Sequence, residues 1–427
     1  MIWHPYSIQK TKYSNLKIAK AKEEFLYDEA GKAYIDAVAS WWVSIHGHNH
    51  PKILESIYKQ LHNLDHVILA GFSHEAAENL AKKTLEITKN TFRKVFYSDN
   101  GSCANEIAVK IAYQYHINSG DTKRKKFIRF SASYHGDTIG TMSLSGSESF
   151  HGVFKDMLLP VKEFISADCY SCPLQKSREN CELDCLQNLK TYLETDGNTV
   201  AAIIIEPIVQ AACGFKFYKK EILQEIDKLC RQYGIVFILD EVFTGFGRLG
   251  ENFAYEYANV SPDILTLAKA FSGGVLPIAA TLVNEKIYEA FYSEEPEKAF
   301  YHGHTMTGNP PSAAAALSSL ELYEKENRLL EVRNLEKVFA KKLKLLQEKF
   351  PDRIEKLRVL GAIACFNLKT EDSYTNPIGK EFAKTCLEKG VILRPLGNVV
   401  YITPPYIIKE ESIEQIFEAI EYSLTNL

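Results

Sequence analysis

Residues 235–274 read IVFILDEVFTGFGRLGENFAYEYANVSPDILTLAKAFSGG. Two short apolar runs, IVFIL and DILTLA, are separated by a glycine-rich turn through Gly245 and Gly247. Each run is strand-length, and each is followed by one ionisable residue of note, Asp240 after the first and Lys269 after the second. Upstream, KKEILQEIDKLCRQYG sets Ile222, Ile226 and Leu229 on one helical face and stops at Gly234, a C-cap signal. Strand, helix and strand in that order predict a crossover unit of an α/β fold with a mainly parallel sheet. Further strand candidates are RKVFYS, KFIRFSA, TVAAIIIEP and IAATLVN. In open sheets of this kind ligands bind beyond the carboxyl ends of the strands, where Glu206, Asp240 and Lys269 fall.

The chain has 427 residues, 46% of them hydrophobic, enough for one large domain and a smaller one. Three stretches are expected: 1–52 as the N-terminal part of the small domain, 53–321 as the large domain, and 322–427 as its C-terminal part. A net charge of −4 offers no electrostatic footprint for nucleic acid. The N-terminal MIWHPYSIQK lacks a signal-peptide pattern and no apolar run is long enough for a bilayer, so the expectation is a cytoplasmic protein without membrane contact.

Nine cysteines, an odd number in a long chain, argue against a disulfide scaffold. Cys169, Cys172, Cys181 and Cys185 follow C-x2-C-x8-C-x3-C in a polar insertion. Four thiolates so spaced could close a tetrahedral zinc or iron-sulfur site, but the favoured reading is a surface excursion of reduced cysteines. No step of the chemistry below requires a metal, and none is assigned there. His46, His48 and His50 alternate as strand ligands would, but Pro51 marks a helix start and breaks the alternation.

SDNGSCANEIAVKIAYQY has the form of a glycine turn running into a helix, which gathers N–H donors for an anion; Gly101 permits close approach and Ser102 is placed as the N-cap. Tyr134, at the end of the FIRFSAS strand, offers a flat partner for a planar ring. A lysine, a carboxylate, a phosphate cradle and an aromatic plate together match pyridoxal phosphate. The Lys269 amine can condense with the cofactor aldehyde while Asp240 keeps the pyridine nitrogen protonated.

With these residues assembled, the chain resembles the fold-type I, class III pyridoxal-phosphate aminotransferases over nearly its whole length. NGSCANE, SYHGDT, IIEPIVQ, LDEVFTGFGRLG and LAKAFSGG carry the class. WHPYS, the tryptophan pair of ASWWVSIHGHNHP and RPLGNVVYITPPY are similar to the members that aminate 8-amino-7-oxononanoate in biotin biosynthesis. The resemblance implies that Lys269 holds the cofactor covalently, that Asp240 pairs with its ring nitrogen, and that Gly101 and Ser102 hold its phosphate. Tyr134 would touch ring and substrate, and Thr305, beside His304, would reach the phosphate of the neighbouring subunit in a homodimer with shared sites. Trp41, Trp42, Gly303, Tyr401 and the catalytic-site Tyr6 would surround the small-molecule substrate, with Arg394 on its carboxylate. His304 stands where family members often carry proline. Two alternatives stay open, an ω-amino acid or diamine aminotransferase and a non-catalytic scaffold. The amino donor is open between S-adenosylmethionine and lysine.

Overall fold

The computed structural model describes residues 2–8, 10, 16–371, 373–374 and 376–427. Its centre is a seven-stranded sheet of β1 (Lys94–Ser98), β2 (Lys126–Phe130), β3 (Lys162–Phe164), β4 (Val200–Ile205), β5 (Val236–Asp240), β6 (Ile264–Leu267) and β7 (Ala279–Val283). The strand order is β1-β7-β6-β5-β4-β2-β3. Only β7 is reversed; it pairs antiparallel with both β6 and β1, and the remaining pairs are parallel. β4 and β5 are buried along their whole length, because helices cover both faces of the sheet. Their unbroken Val and Ile runs, with no polar alternation, state that burial in sequence.

The crossover from β4 to β5 is the helix Lys220–Tyr233, whose buried face is Ile222, Leu223, Ile226, Leu229 and Cys230. Gly234 closes it in the left-handed conformation, φ 66°. Two sequence expectations change here. β6 ends at Leu267, and Lys269 opens a short 3-10 turn with its own backbone left-handed, φ 49°. The edge strand β3 is additional; its three residues are too few and too polar to register as a periodic run.

Chain ends meet in a four-stranded sheet, where Ala33–Asp36 pairs antiparallel with Phe25–Asp28 and parallel with Val391–Ile392. A three-stranded antiparallel sheet of Ile354–Leu360, Ile363–Leu368 and Val399–Ile402 completes the C-terminal region. The helix Pro310–Lys325 runs unbroken through residues 321 and 322 and packs against Pro51–Asn63 and Glu75–Ile87. Among the described residues no helix is long and apolar enough to cross a membrane.

The three clustered histidines diverge. His46 lies between Ser319 and Arg328, His48 bonds Asp36 at 2.8 Å, and His50 precedes the helix that Pro51 opens. The four clustered cysteines all line one small cavity beside Ile222, and all nine thiols are free. Among the described residues no group of three or more His, Cys, Asp or Glu side chains is placed to hold a metal ion.

Candidate active site

A cavity of about 510 Å³ opens beyond the carboxyl ends of β4, β5 and β6, lined by Glu206, Asp240 and Lys269 among others. Asp240 is the last residue of β5 and is buried. Its Oδ2 accepts from Asn105 Nδ2 at 2.8 Å and His135 Nδ1 at 2.7 Å, and its Oδ1 from the Val242 N–H at 3.0 Å. Three donors hold the carboxylate in one orientation, and Asn105 is itself fixed by the Thr266 hydroxyl. Lys269 Nζ lies 5.4 Å from the centre of the Trp42 ring. Burial pushes its ammonium below the ordinary lysine value, against the opposing pull of Asp240 and Glu206. The lysine is therefore more readily a free amine, as a nucleophile must be.

Glu206 is buried and accepts the Tyr134 N–H at 2.9 Å and the Ala211 N–H at 3.3 Å. Burial, with the charge of Asp240 nearby, raises its carboxyl well above the usual range. It thus orders the loop that carries Tyr134.

At the opposite wall the helix Gly101–Asn118 points its N-terminus into the cavity. Its N-cap is Asn100, whose Oδ1 accepts the Cys103 N–H at 2.9 Å, and not Ser102 as the sequence suggested. Polar residues stand on both sides of Gly101, and the backbone turn selects the earlier one. Ser102 is thereby left in the first turn, its hydroxyl accepting the Asp137 N–H at 3.3 Å. A Cβ on Gly101 would meet Val242 at 2.8 Å, and one on Gly136 would meet the Ser102 hydroxyl at 2.1 Å. Both glycines keep the donor-rich turn close to the floor.

The tryptophan pair divides. Ala39–Trp42 forms a left-handed turn, with φ between 45° and 74° at all four residues, a conformation costing about 1–2 kcal/mol per residue. Trp42 is buried against Phe215, Phe243 and Tyr401 and lines the cavity. Trp41 stays 38% exposed at the rim, with the Arg394 guanidinium 4.2 Å from its ring centre and Tyr6 edge-on at 5.7 Å. Tyr6 also hydrogen bonds Asp137 and lies 3.2 Å from the Tyr134 hydroxyl. Gly303 and Thr305 are exposed, His304 is half-buried, and none of the three lines the cavity of its own chain.

Two residues of the site escaped sequence reasoning. His135, the residue after Tyr134, is the direct partner of Asp240. Arg248 is fully buried with Nη2 on the Trp42 carbonyl at 3.0 Å, while its Nε and Nη1 have no partner among the described residues. Burial lowers its guanidinium, and its charge in turn depresses Lys269. The signal was available as one cation inside the glycine and aromatic run TGFGRLG.

The donor set matches pyridoxal phosphate. There are N–H groups and a hydroxyl at a helix N-terminus for the phosphate, the triply hydrogen-bonded Asp240 carboxylate for the ring nitrogen, and an amine of lowered basicity for the aldehyde. Residues 7–424 match the family Aminotransferase class-III. The chain is 38% identical to the adenosylmethionine-8-amino-7-oxononanoate aminotransferase of Geobacter sulfurreducens, over 99% of this chain and 95% of that protein. The crystal structure of the enzyme of that name from Methanocaldococcus jannaschii superposes with a TM-score of 0.91 at 36% identity, covering 100% of this chain and 97% of the other. An amine transaminase from an uncultivated Pseudomonas species, in its PLP-bound form, gives 0.94 at 27% identity, covering 100% and 98%. Motifs, donor set and full-length similarity agree, and the chain belongs to the class III aminotransferases, a family of pyridoxal-phosphate enzymes.

Proposed function

We propose that this aminotransferase moves an amino group from S-adenosylmethionine to 8-amino-7-oxononanoate, giving 7,8-diaminononanoate for biotin biosynthesis. Relatives at 36–38% identity over nearly the full length carry that activity in their names, adenosylmethionine included. The observation that carries the reading in this chain is the rim, where Arg394 stacked on Trp41 stands at one end and the buried Trp42 at the other. A planar guanidinium suits the acceptor carboxylate and indole walls suit its alkyl chain.

Lys269 would be the covalent anchor of the cofactor, and its Nζ the group that would move the substrate proton. When bound, pyridoxal phosphate supplies an electron sink for the carbon that loses that proton. Asp240, oriented by His135 and Asn105, would hold the ring nitrogen in its protonated form. Gly101 and Ser102 take the phosphate, Tyr134 packs on ring and substrate, and Tyr6 and Tyr401 complete the acceptor site. Thr305, exposed on its own chain, serves the phosphate of a partner subunit in a cytoplasmic homodimer, with Gly303 and His304 beside it.

The test is to offer 8-amino-7-oxononanoate with S-adenosylmethionine and, separately, with lysine, next to an ω-amino acid and a diamine as competing substrates. Formation of 7,8-diaminononanoate with S-adenosylmethionine at the highest kcat/KM is the expected result. Preference for lysine overturns the donor, and preference for the ω-amino acid or diamine overturns the substrate.

A further inference from the structure

Beneath the rim lies a residue that does not itself line the cavity. His151 ends the short helix Glu148–His151 and is buried. Its Nε2 is 3.0 Å from Asp137 Oδ1, and its ring stacks under Tyr134 at 5.9 Å with an interplanar angle of 24°. The same Asp137 carboxylate receives the Tyr6 hydroxyl at 2.8 and 2.6 Å and the Tyr134 hydroxyl at 2.9 Å. Three side chains from three separate segments therefore donate to one half-exposed carboxylate. Burial alone would raise the Asp137 carboxyl; the bonds from His151, Tyr6 and Tyr134 outweigh it and hold the group below its usual value. Phe150, the residue before His151, sets its ring edge-on to Tyr6 at 5.7 Å and to Tyr134 at 5.8 Å.

We infer that His151 is a positioning residue for the acceptor site: by donating Nε2–H to Asp137 from the buried side, it fixes the carboxylate on which Tyr6 and Tyr134 are hung. The carboxylate is otherwise free to turn toward water, and its two phenolic partners would turn with it. Tyr6 lies in the N-terminal segment, so the same bond ties that segment down over the rim. The effect falls on the acceptor side of the site, because Asp240 and Lys269 are held separately, by His135, Asn105 and the strand ends. This inference rests on the acceptor reading above for its kinetic arm alone.

The experiment compares wild type, H151L and H151Q as holoenzymes. Leucine removes the donor, whereas glutamine keeps an N–H near the position of Nε2. In H151L the KM for 8-amino-7-oxononanoate should rise about tenfold, as for loss of a hydrogen bond to a charged group. Its kcat and cofactor absorbance should stay near wild type, and trypsin should cleave after the exposed Lys10 faster than in wild type. H151Q should restore KM and protection together. An unchanged KM and unchanged cleavage in H151L would overturn the inference. So would a parallel loss of kcat, bound cofactor and melting temperature that glutamine fails to rescue, since that marks an ordinary core residue. Should wild type not aminate this acceptor at all, the substrate reading fails by itself, and cleavage after Lys10, which needs no substrate, decides the role of His151.

Discussion

The floor of the cavity at Asp240 and its rim at Tyr6 are held in different ways. Asp240 ends a fully buried strand and receives three donors, from the Gly101–Asn118 helix, the His135 loop and the turn that follows the strand. Tyr6 is 42% exposed, belongs to no strand or helix, and depends on side chains of three other segments. A reaction shared by a whole family needs its charge and its amine in fixed places, and strand ends give that precision. Choice among substrates is made by groups that can be exchanged without disturbing the sheet, and loops provide those.

The largest expected break is at the floor. Lys269→Ala should leave a folded protein whose turnover falls by about 10³-fold or more, because anchoring and proton transfer are lost together. Steady-state assay with a circular dichroism control checks it, and near wild-type turnover removes Lys269 from its role. Asp240→Asn keeps the size but loses the charge, and should lower kcat by about 10²–10³-fold. An unaltered acceptor KM in that variant would sharpen the division between floor and rim.

Rim changes should behave in the opposite sense. Arg394→Leu should lower kcat/KM for the acceptor by about 10- to 100-fold, the range for one charge-assisted pair, with cofactor retention unchanged. If the cofactor is lost as readily as the acceptor, floor and rim are not separable. Thr305→Ala should weaken cofactor retention by about 1 kcal/mol, read by dialysis and absorbance. Mixed with Lys269→Ala subunits it should give more activity than the two variants apart, since one of the two sites is then free of both lesions. Activity no greater than their sum, with subunit exchange proven, would return Thr305 to its own chain.

The smallest effect is on stability. Glu241, next to Asp240 but turned away from the cavity, accepts the Ala254 and Tyr255 N–H groups and the Thr244 hydroxyl, and burial raises its carboxyl to about 7. A raised carboxyl binds its proton more tightly when folded. Its contribution is complete below the ordinary value of 4.5 and fades as pH rises through about 7. Glu241→Gln should therefore show a flatter melting temperature between pH 5 and 8 than wild type; a parallel pH profile by calorimetry would refute this.

The same division explains what could be read in the sequence. The floor was legible because a fully buried parallel strand must be an apolar run and its ending is punctuated by a polar residue, as at Asp240 and Glu206. The cap of the Gly101 helix was misplaced by two residues, since Asn100 and Ser102 are chemically equal candidates. At the rim, the left-handed turn of Ala39–Trp42 has no glycine to announce it. His151 reaches Asp137 across a bend that no local pattern encodes, and Arg248 is buried by elements far away in the chain.

The reversed strand β7 also sets the order in which the protein can be completed during synthesis. β1, which leads into the Gly101 turn, has β7 as its one neighbour in the sheet. At about 5–20 residues per second, the roughly 180 residues between them take about 10–40 s to emerge from the ribosome. Throughout that interval β1 presents unpaired backbone, and the helix behind it lacks the β7 part of the sheet against which it packs. A nascent chain released before Val283 would carry the phosphate turn on an open edge, a substrate for chaperones and for aggregation and not for catalysis.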